Sequence, residues 1–174
     1  MKEEELRAVC TLIWQTWPWH HSFEEAFLDF KKNIPANAIN GTDRLRFVVY
    51  DEALVVAHAS IFPRTIHTEQ GSMLVGALSG VCTHDKYRRQ GLGAHVVRAA
   101  FERVDQGEFP VSLWMTNIPT FYEKLGGRII KNTWINTHNT TQPDIDPWPD
   151  ELKMIYPANH KWPDGVIDLN GSVY

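Results

Sequence analysis

Only two cysteines, Cys10 and Cys82, occur in 174 residues, so no disulfide framework holds this chain together. Both stand among apolar neighbours and read as buried free thiols. Positive charge is also scarce: 17 Lys and Arg face 21 Asp and Glu, a net charge of −4. Nucleic-acid binders carry clustered positive charge, so that class of partner is excluded. No apolar run approaches the roughly 20 residues that cross a bilayer, which excludes a membrane span. The opening Met-Lys-Glu-Glu-Glu lacks the basic-then-apolar order of a signal peptide, and a cytoplasmic location is the expectation. The pair His20-His21 has no partners at metal-ligand spacing, so no metal is expected. Repeats, low-complexity tracts and linkers are missing too, and one domain over residues 1–174 is expected.

What is present is ordinary globular texture, 43% hydrophobic and 22% charged. Leu6, Val9, Leu12, Ile13 and Trp17 fall at helical spacing, which predicts a helix over 3–17 stopped by Pro18. Ser22, followed by Glu24 and Glu25, caps a second helix that carries Phe23, Phe27 and Phe30, and Pro35 and Asn40-Gly41 end it. β-branched and aromatic runs then flank Asp51-Glu52, predicting a hairpin of 47–50 with 53–62. A third strand, 73–83, holds Gly76 and Gly80, and glycine inside a strand marks a bulge or a close approach. An amphipathic helix over 91–104 has Leu92, Val96, Val97, Ala100 and Val104 on one stripe. A short strand at 111–115, a short helix at 118–125 stopped by Gly126-Gly127, and strands at 128–135 and 152–156 complete the order. The expected fold is a mixed α/β sheet of about six to seven strands, with helices on both faces.

The sharpest local feature joins the third strand to the amphipathic helix: Val81-Cys82-Thr83-His84-Asp85-Lys86-Tyr87-Arg88-Arg89-Gln90-Gly91-Leu92-Gly93. The first amides of a helix have no intrahelical partner, and the macrodipole adds partial positive charge there. Gly91 and Gly93 let an anion approach those amides, while Arg88 and Arg89 add mobile positive charge, so a diphosphate is the natural guest. A dinucleotide fingerprint would need glycine where Val96 stands, and no Gly-Lys-Ser/Thr string supplies a P-loop. The pattern that fits is Arg-x-x-Gly-x-Gly, at Arg88, Gly91 and Gly93. It resembles the coenzyme A pyrophosphate loop of the Gcn5-related N-acetyltransferase family. Thr116-Asn117 followed by Phe121-Tyr122-Glu123-Lys124-Leu125-Gly126 resembles that family's next strand, tyrosine helix and Leu-Gly stop. The combined resemblance spans about residues 73–135.

The resemblance implies an acyltransferase that moves acetyl from acetyl-CoA, as co-substrate, to a primary amine of a small molecule. It implies that Val81, Cys82 and Thr83 meet the pantetheine arm through their peptide groups, one of whose N–H groups holds the thioester oxygen. Arg88, Arg89, Gln90, Gly91, Leu92 and Gly93 would hold the diphosphate. Asn117 matches an asparagine that bonds pantetheine, and is equally placed to cap a helix. Tyr122 matches a tyrosine that protonates the leaving sulfur, which a phenol of ordinary pKa about 10 can do; the alternative is a core tyrosine beside Phe121. Where many relatives carry a glutamate base, this chain has Ser79, and the base stays open between Ser79 through water, His84, Asp85 and His58.

Trp14, Trp17, Trp19, His20 and His21 crowd the junction of the first two helices, which in this family borders the acceptor; aromatic faces there suit a sugar or alkyl amine, or simply pack a core. The acids of loop 136–151, Asp144, Asp146, Asp150 and Glu151, either favour a cationic acceptor or are merely solvated. The tail Trp162-Pro163-Asp164-Gly165-Val166-Ile167-Asp168 resembles the end of aminoglycoside 2′-N-acetyltransferases and of nodulation-factor acyltransferases, which points to an aminoglycoside or amino sugar. Alternatives are an acyltransferase with a longer acyl donor and a non-catalytic acyl-CoA sensor. A monomer and a homodimer are both compatible with the chain.

Overall fold

The computed structural model describes residues 2–32 and 44–171. The expected helix stop at Pro35 and Asn40-Gly41 lies outside them. Helix α1 spans Glu3–Thr16 and α2 Phe23–Lys32. Three glutamates fill the first turn of α1, where the helix dipole favours negative charge. Ser22 Oγ accepts the Glu25 amide at 3.3 Å, the cap its position predicts. Glu24 holds Arg7 with both carboxylate oxygens, at 2.7 and 3.2 Å, tying the two helices along one side.

Strands β1 (Leu45–Asp51) and β2 (Leu54–Thr68) form the expected hairpin, with Glu52 at φ 52 in the turn. Strand β3 (Gly71–Thr83) leads through a 3-10 turn at Asp85–Tyr87 into α3 (Leu92–Asp105). Then come β4 (Ser112–Thr116), α4 (Pro119–Glu123), β5 (Arg128–Ile130), β6 (Thr133–Ile135), β7 (Leu152–Tyr156) and β8 (Val166–Asp168). The strand order is β5-β7-β4-β3-β2-β8-β6, with β1 on β2. Parallel pairs (β3–β4, β6–β8) mix with antiparallel ones, so this is the expected mixed α/β sheet flanked by helices.

One expectation is corrected. Residues 128–135 form two strands, β5 paired to β7 and β6 paired to β8, because the chain breaks at Lys131-Asn132. The tail adds a strand of its own, β8, and among the described residues the main path of the sheet runs through seven strands, as expected, with β1 off that path on β2. Asn132 causes the break: its Nδ2 donates to the Pro163 and Gly165 carbonyls, and its Oδ1 accepts from Trp162 Nε1 at 2.8 Å.

The described residues fall into two compact units through which β2 and β3 both run: Met1–Ile61 with Gly80–Ala100, and Phe62–Ser79 with Phe101–Tyr174. The first packs Val9, Leu12, Val55 and Cys82 around Ile13, Phe30 and Val48. The second buries Ile66, Val75, Leu113, Trp134, Ile155 and Ile167. No helix among the described residues is long and apolar enough to cross a membrane. Cys10 and Cys82 are free and buried, as expected.

Candidate functional site

In the first unit, the segment from Val81 to Gly93 is shaped by its own short-range bonds. The His84 amide bonds the Val56 carbonyl at 2.9 Å, which ends β3 against β2. His84 Nδ1 then accepts the Lys86 amide at 3.3 Å and caps the 3-10 turn. The Tyr87 hydroxyl donates to Asp51, pinning the turn to the end of β1. Gln90 Nε2 reaches back to the Lys86 carbonyl at 3.4 Å. The backbone next takes two left-handed steps, Arg89 at φ 62 and Gly91 at φ 82. Gly91 has open space where a Cβ would stand, so its conformation rather than crowding requires glycine.

Helix α3 starts at Leu92, and the Gly91 carbonyl accepts the His95 amide at 3.0 Å. The amides of Leu92, Gly93 and Ala94 therefore lack intrahelical acceptors. A left-handed step just before a helix concentrates such N–H groups into a concave anion site. Arg88 and Arg89 are both exposed beside it. The Arg88 guanidinium meets Asp85 at 2.7 Å and donates to the Thr83 carbonyl at 3.4 Å. That ion pair is solvent-exposed, so giving it up to a phosphate costs little.

Upstream, Gly80 stands at φ 61 within β3, a conformation no regular strand contains. His58 on β2 lies against it: the ring is 1% exposed, and Nδ1 is 2.7 Å from the Gly80 carbonyl. A carbonyl only accepts, so Nδ1 carries the proton. Burial, then the charges of Arg46 and Arg44, lower the His58 pKa to about 4, while the bond to Gly80 works the other way. Cys82 is buried, which pushes its thiol up to about 12. It stays protonated and offers no nucleophile.

The second unit holds Asn117 and Tyr122. Strands β3 and β4 pair in parallel over two rungs, Gly76↔Ser112 and Ala77↔Leu113, whereas β4 pairs with β7 along its whole length to Thr116. Helix α4 begins with Ile118 at its cap and Pro119 at its first position; Asn117 is exposed and precedes the cap, so the capping alternative is corrected. The helix ends as its glycines predict. Gly126 stands at φ 92, the Gly127 amide bonds the Tyr122 carbonyl at 2.9 Å, and the Gly126 amide bonds Glu123 at 3.0 Å. Gly127 also has to be small, because a Cβ there would lie 3.1 Å from the Trp114 ring. Tyr122 is 5% exposed, its ring 5.0 Å from Trp114 and 4.8 Å from Phe121.

The remaining candidates divide. Trp14 packs edge-on to Phe23 at 5.8 Å, while Trp17 and Trp19 are 49% and 38% exposed. His20 faces Asp29 at 3.5 Å. Of the loop acids, Asp146 is committed to the buried Lys153 at 2.8 Å, whereas Asp144 and Asp150 are exposed. The tail residues serve the sheet: Ile167 is fully buried, and Trp162 bonds Asn132. Two features escaped sequence reasoning, the left-handed Arg89 and the His58–Gly80 contact. Gly80 inside a strand signalled the second; nothing local signals the first.

The acetyltransferase (GNAT) domain model matches residues 1–130. A search of the curated proteins finds no match. Among solved structures, a GNAT family N-acetyltransferase from Escherichia coli in complex with CoA shares the fold at TM-score 0.62. It is 15% identical, and the match covers 95% of this chain and 84% of that one. Glucosamine-6-phosphate N-acetyltransferase from Arabidopsis thaliana gives 0.56 at 19% identity, covering 76% and 88%. A GCN5-related N-acetyltransferase from Kribbella flavida gives 0.55 at 18% identity over 74% of this chain, which spans only 32% of that longer protein.

Proposed function

The chain belongs to the GNAT acetyltransferase family, and from that premise we propose that it transfers acetyl from acetyl-CoA to a primary amine of a small molecule. The carrying observation is the turn before α3. Left-handed Arg89 and Gly91 precede helix amides that lack intrahelical acceptors, with two exposed guanidinium side chains alongside. That donor set suits a diphosphate on chemical grounds alone. Arg88, Arg89, Gln90, Gly91, Leu92 and Gly93 are the residues assigned to it. The peptide groups of Val81, Cys82 and Thr83 are assigned to the pantetheine arm and the thioester oxygen, and Asn117 to pantetheine.

In the proposed reaction the neutral amine nitrogen attacks the thioester carbonyl carbon, and charge develops on its oxygen, where a peptide N–H receives it. The carbon–sulfur bond breaks, and the Tyr122 hydroxyl gives its proton to the departing sulfur. The nitrogen sheds its extra proton to a base. That base stays open between Ser79 through water, His84, Asp85 and His58; Asp85 would have to leave its exposed pair with Arg88, and His58 bonds Gly80 through Nδ1. The acceptor class we propose is an aminoglycoside or amino sugar. The tail resemblance supports it, as do the exposed indoles of Trp17 and Trp19, a surface that sugar rings stack on.

An acetyl-CoA consumption screen against aminoglycosides, amino sugars, polyamines and amino acids tests this, run beside Tyr122→Phe. Amine-dependent thiol release is expected for the wild type. The variant is expected to keep its CoA affinity while kcat falls by about 100-fold. Unchanged turnover in Tyr122→Phe removes that residue from the chemistry. Release of thiol without dependence on any amine favours the acyl-CoA sensor, which Ser79 in place of a strand glutamate also suits. Competition by palmitoyl-CoA favours a longer donor.

A further inference from the structure

The geometry points to His58 as a positioning residue: by donating Nδ1–H to the Gly80 carbonyl, it locks the left-handed kink in β3 that orients the peptide N–H groups of Val81 to Thr83 toward an acyl thioester. This rests on the functional reading above and adds to it a residue that touches neither substrate nor product.

His58 Nε2 is buried and bonded to nothing in the described structure. An acceptor buried without a partner destabilises a fold, and a leucine of similar volume would remove that cost. The imidazole is therefore a poor choice for packing alone, and the one polar bond it makes among the described residues goes to the kink. That contact is close on both sides. A Cβ on Gly80 would stand 3.1 Å from His58 Cε1 and 3.2 Å from Nδ1, so the ring fits only against glycine. Glycine at φ 61 is backbone freedom that needs a restraint; without one, the peptide planes that follow sample other directions. The imidazole supplies that restraint from the neighbouring strand, where His58 sits opposite Val48. A donor aimed wrongly by an ångström loses most of its value to a developing oxyanion, whereas the diphosphate turn, eight or more residues on, is held by separate bonds.

The test compares His58→Leu with His58→Asn, whose amide nitrogen takes the place of Nδ1. CoA affinity is read by calorimetry, and kcat and KM come from thiol release with the amine found in the screen. In His58→Leu, CoA affinity is expected to stay within about threefold of wild type while kcat falls about tenfold or more. His58→Asn is expected to recover most of that loss. A His58→Leu enzyme turning over within about twofold of wild type would overturn the inference. So would a His58→Asn enzyme as slow as the leucine variant. If His58→Leu does not fold, His58→Gln replaces it, because its amide reaches the Nε2 place instead. Equal rates for the asparagine and glutamine variants then overturn the assignment. Wild type that gives no heat with CoA sinks the functional reading itself; wild type that binds and reacts, with His58 variants unchanged, sinks only the role of His58.

Discussion

Arg89 combines a functional charge with a backbone cost. At φ 62 a side-chain-bearing residue is held about 1–2 kcal/mol above its preferred conformations, and only surrounding structure keeps it there. Arg89→Gly and Arg89→Ala both remove the charge, but only glycine relieves the strain. The glycine variant is expected to be the more stable by about 1 kcal/mol in urea unfolding, the reverse of the usual ranking, while both lose similar CoA affinity. An alanine variant at least as stable would show that the residue carries no strain.

His58 sets a pH limit by the same reasoning. Its folded pKa, about 4, lies below the ordinary 6.5, so the unfolded chain takes up the proton first as pH falls. The stability tied to the neutral ring is complete above pH 6.5 and is lost between 6.5 and about 4, on the order of 3 kcal/mol in all. Arg46 and Arg44 add to the penalty on charging it. Denaturation at pH 7.5 and 4.5 should show this loss in wild type and not in His58→Leu. Equal losses would mean that the ring does not stay neutral.

At the scale of elements, local pattern carried far and then stopped where partners are distant. The Ser22 cap, the hairpin at Asp51-Glu52 and the Gly126-Gly127 stop were legible because each depends on bonds within a few residues. The break between β5 and β6 was not, since Asn132 makes its bonds to residues about thirty positions later. Strand β8 was missed for a related reason: three residues preceded by Pro163 and Gly165 carry no strand pattern of their own, and the partners that make them a strand, β6 and β2, lie far off in sequence. Asn132→Ala strands two carbonyls and the Trp162 indole N–H, at a cost of about 2–3 kcal/mol. Amide exchange should quicken first at Val166 to Asp168 and in β6. Exchange unchanged there would contradict the view that Asn132 holds the tail in the sheet.

Over the whole molecule, the mixed sheet and the turn before α3 were readable from sequence because both follow from periodicity and from glycine placement. The acceptor was not. Of the features that suggested one, Asp146 is occupied by Lys153 and the tail by the sheet, while Trp17, Trp19, Asp144 and Asp150 are exposed. The turn itself is the part on which every other functional assignment depends. Calorimetric titration of the wild-type chain with CoA, and separately with its acetyl ester, tests it most directly. Saturable heat is expected with both, reduced when the ionic strength is raised, because charge-assisted bonds to the phosphates carry the affinity. No heat from either ligand at millimolar concentration would contradict the account.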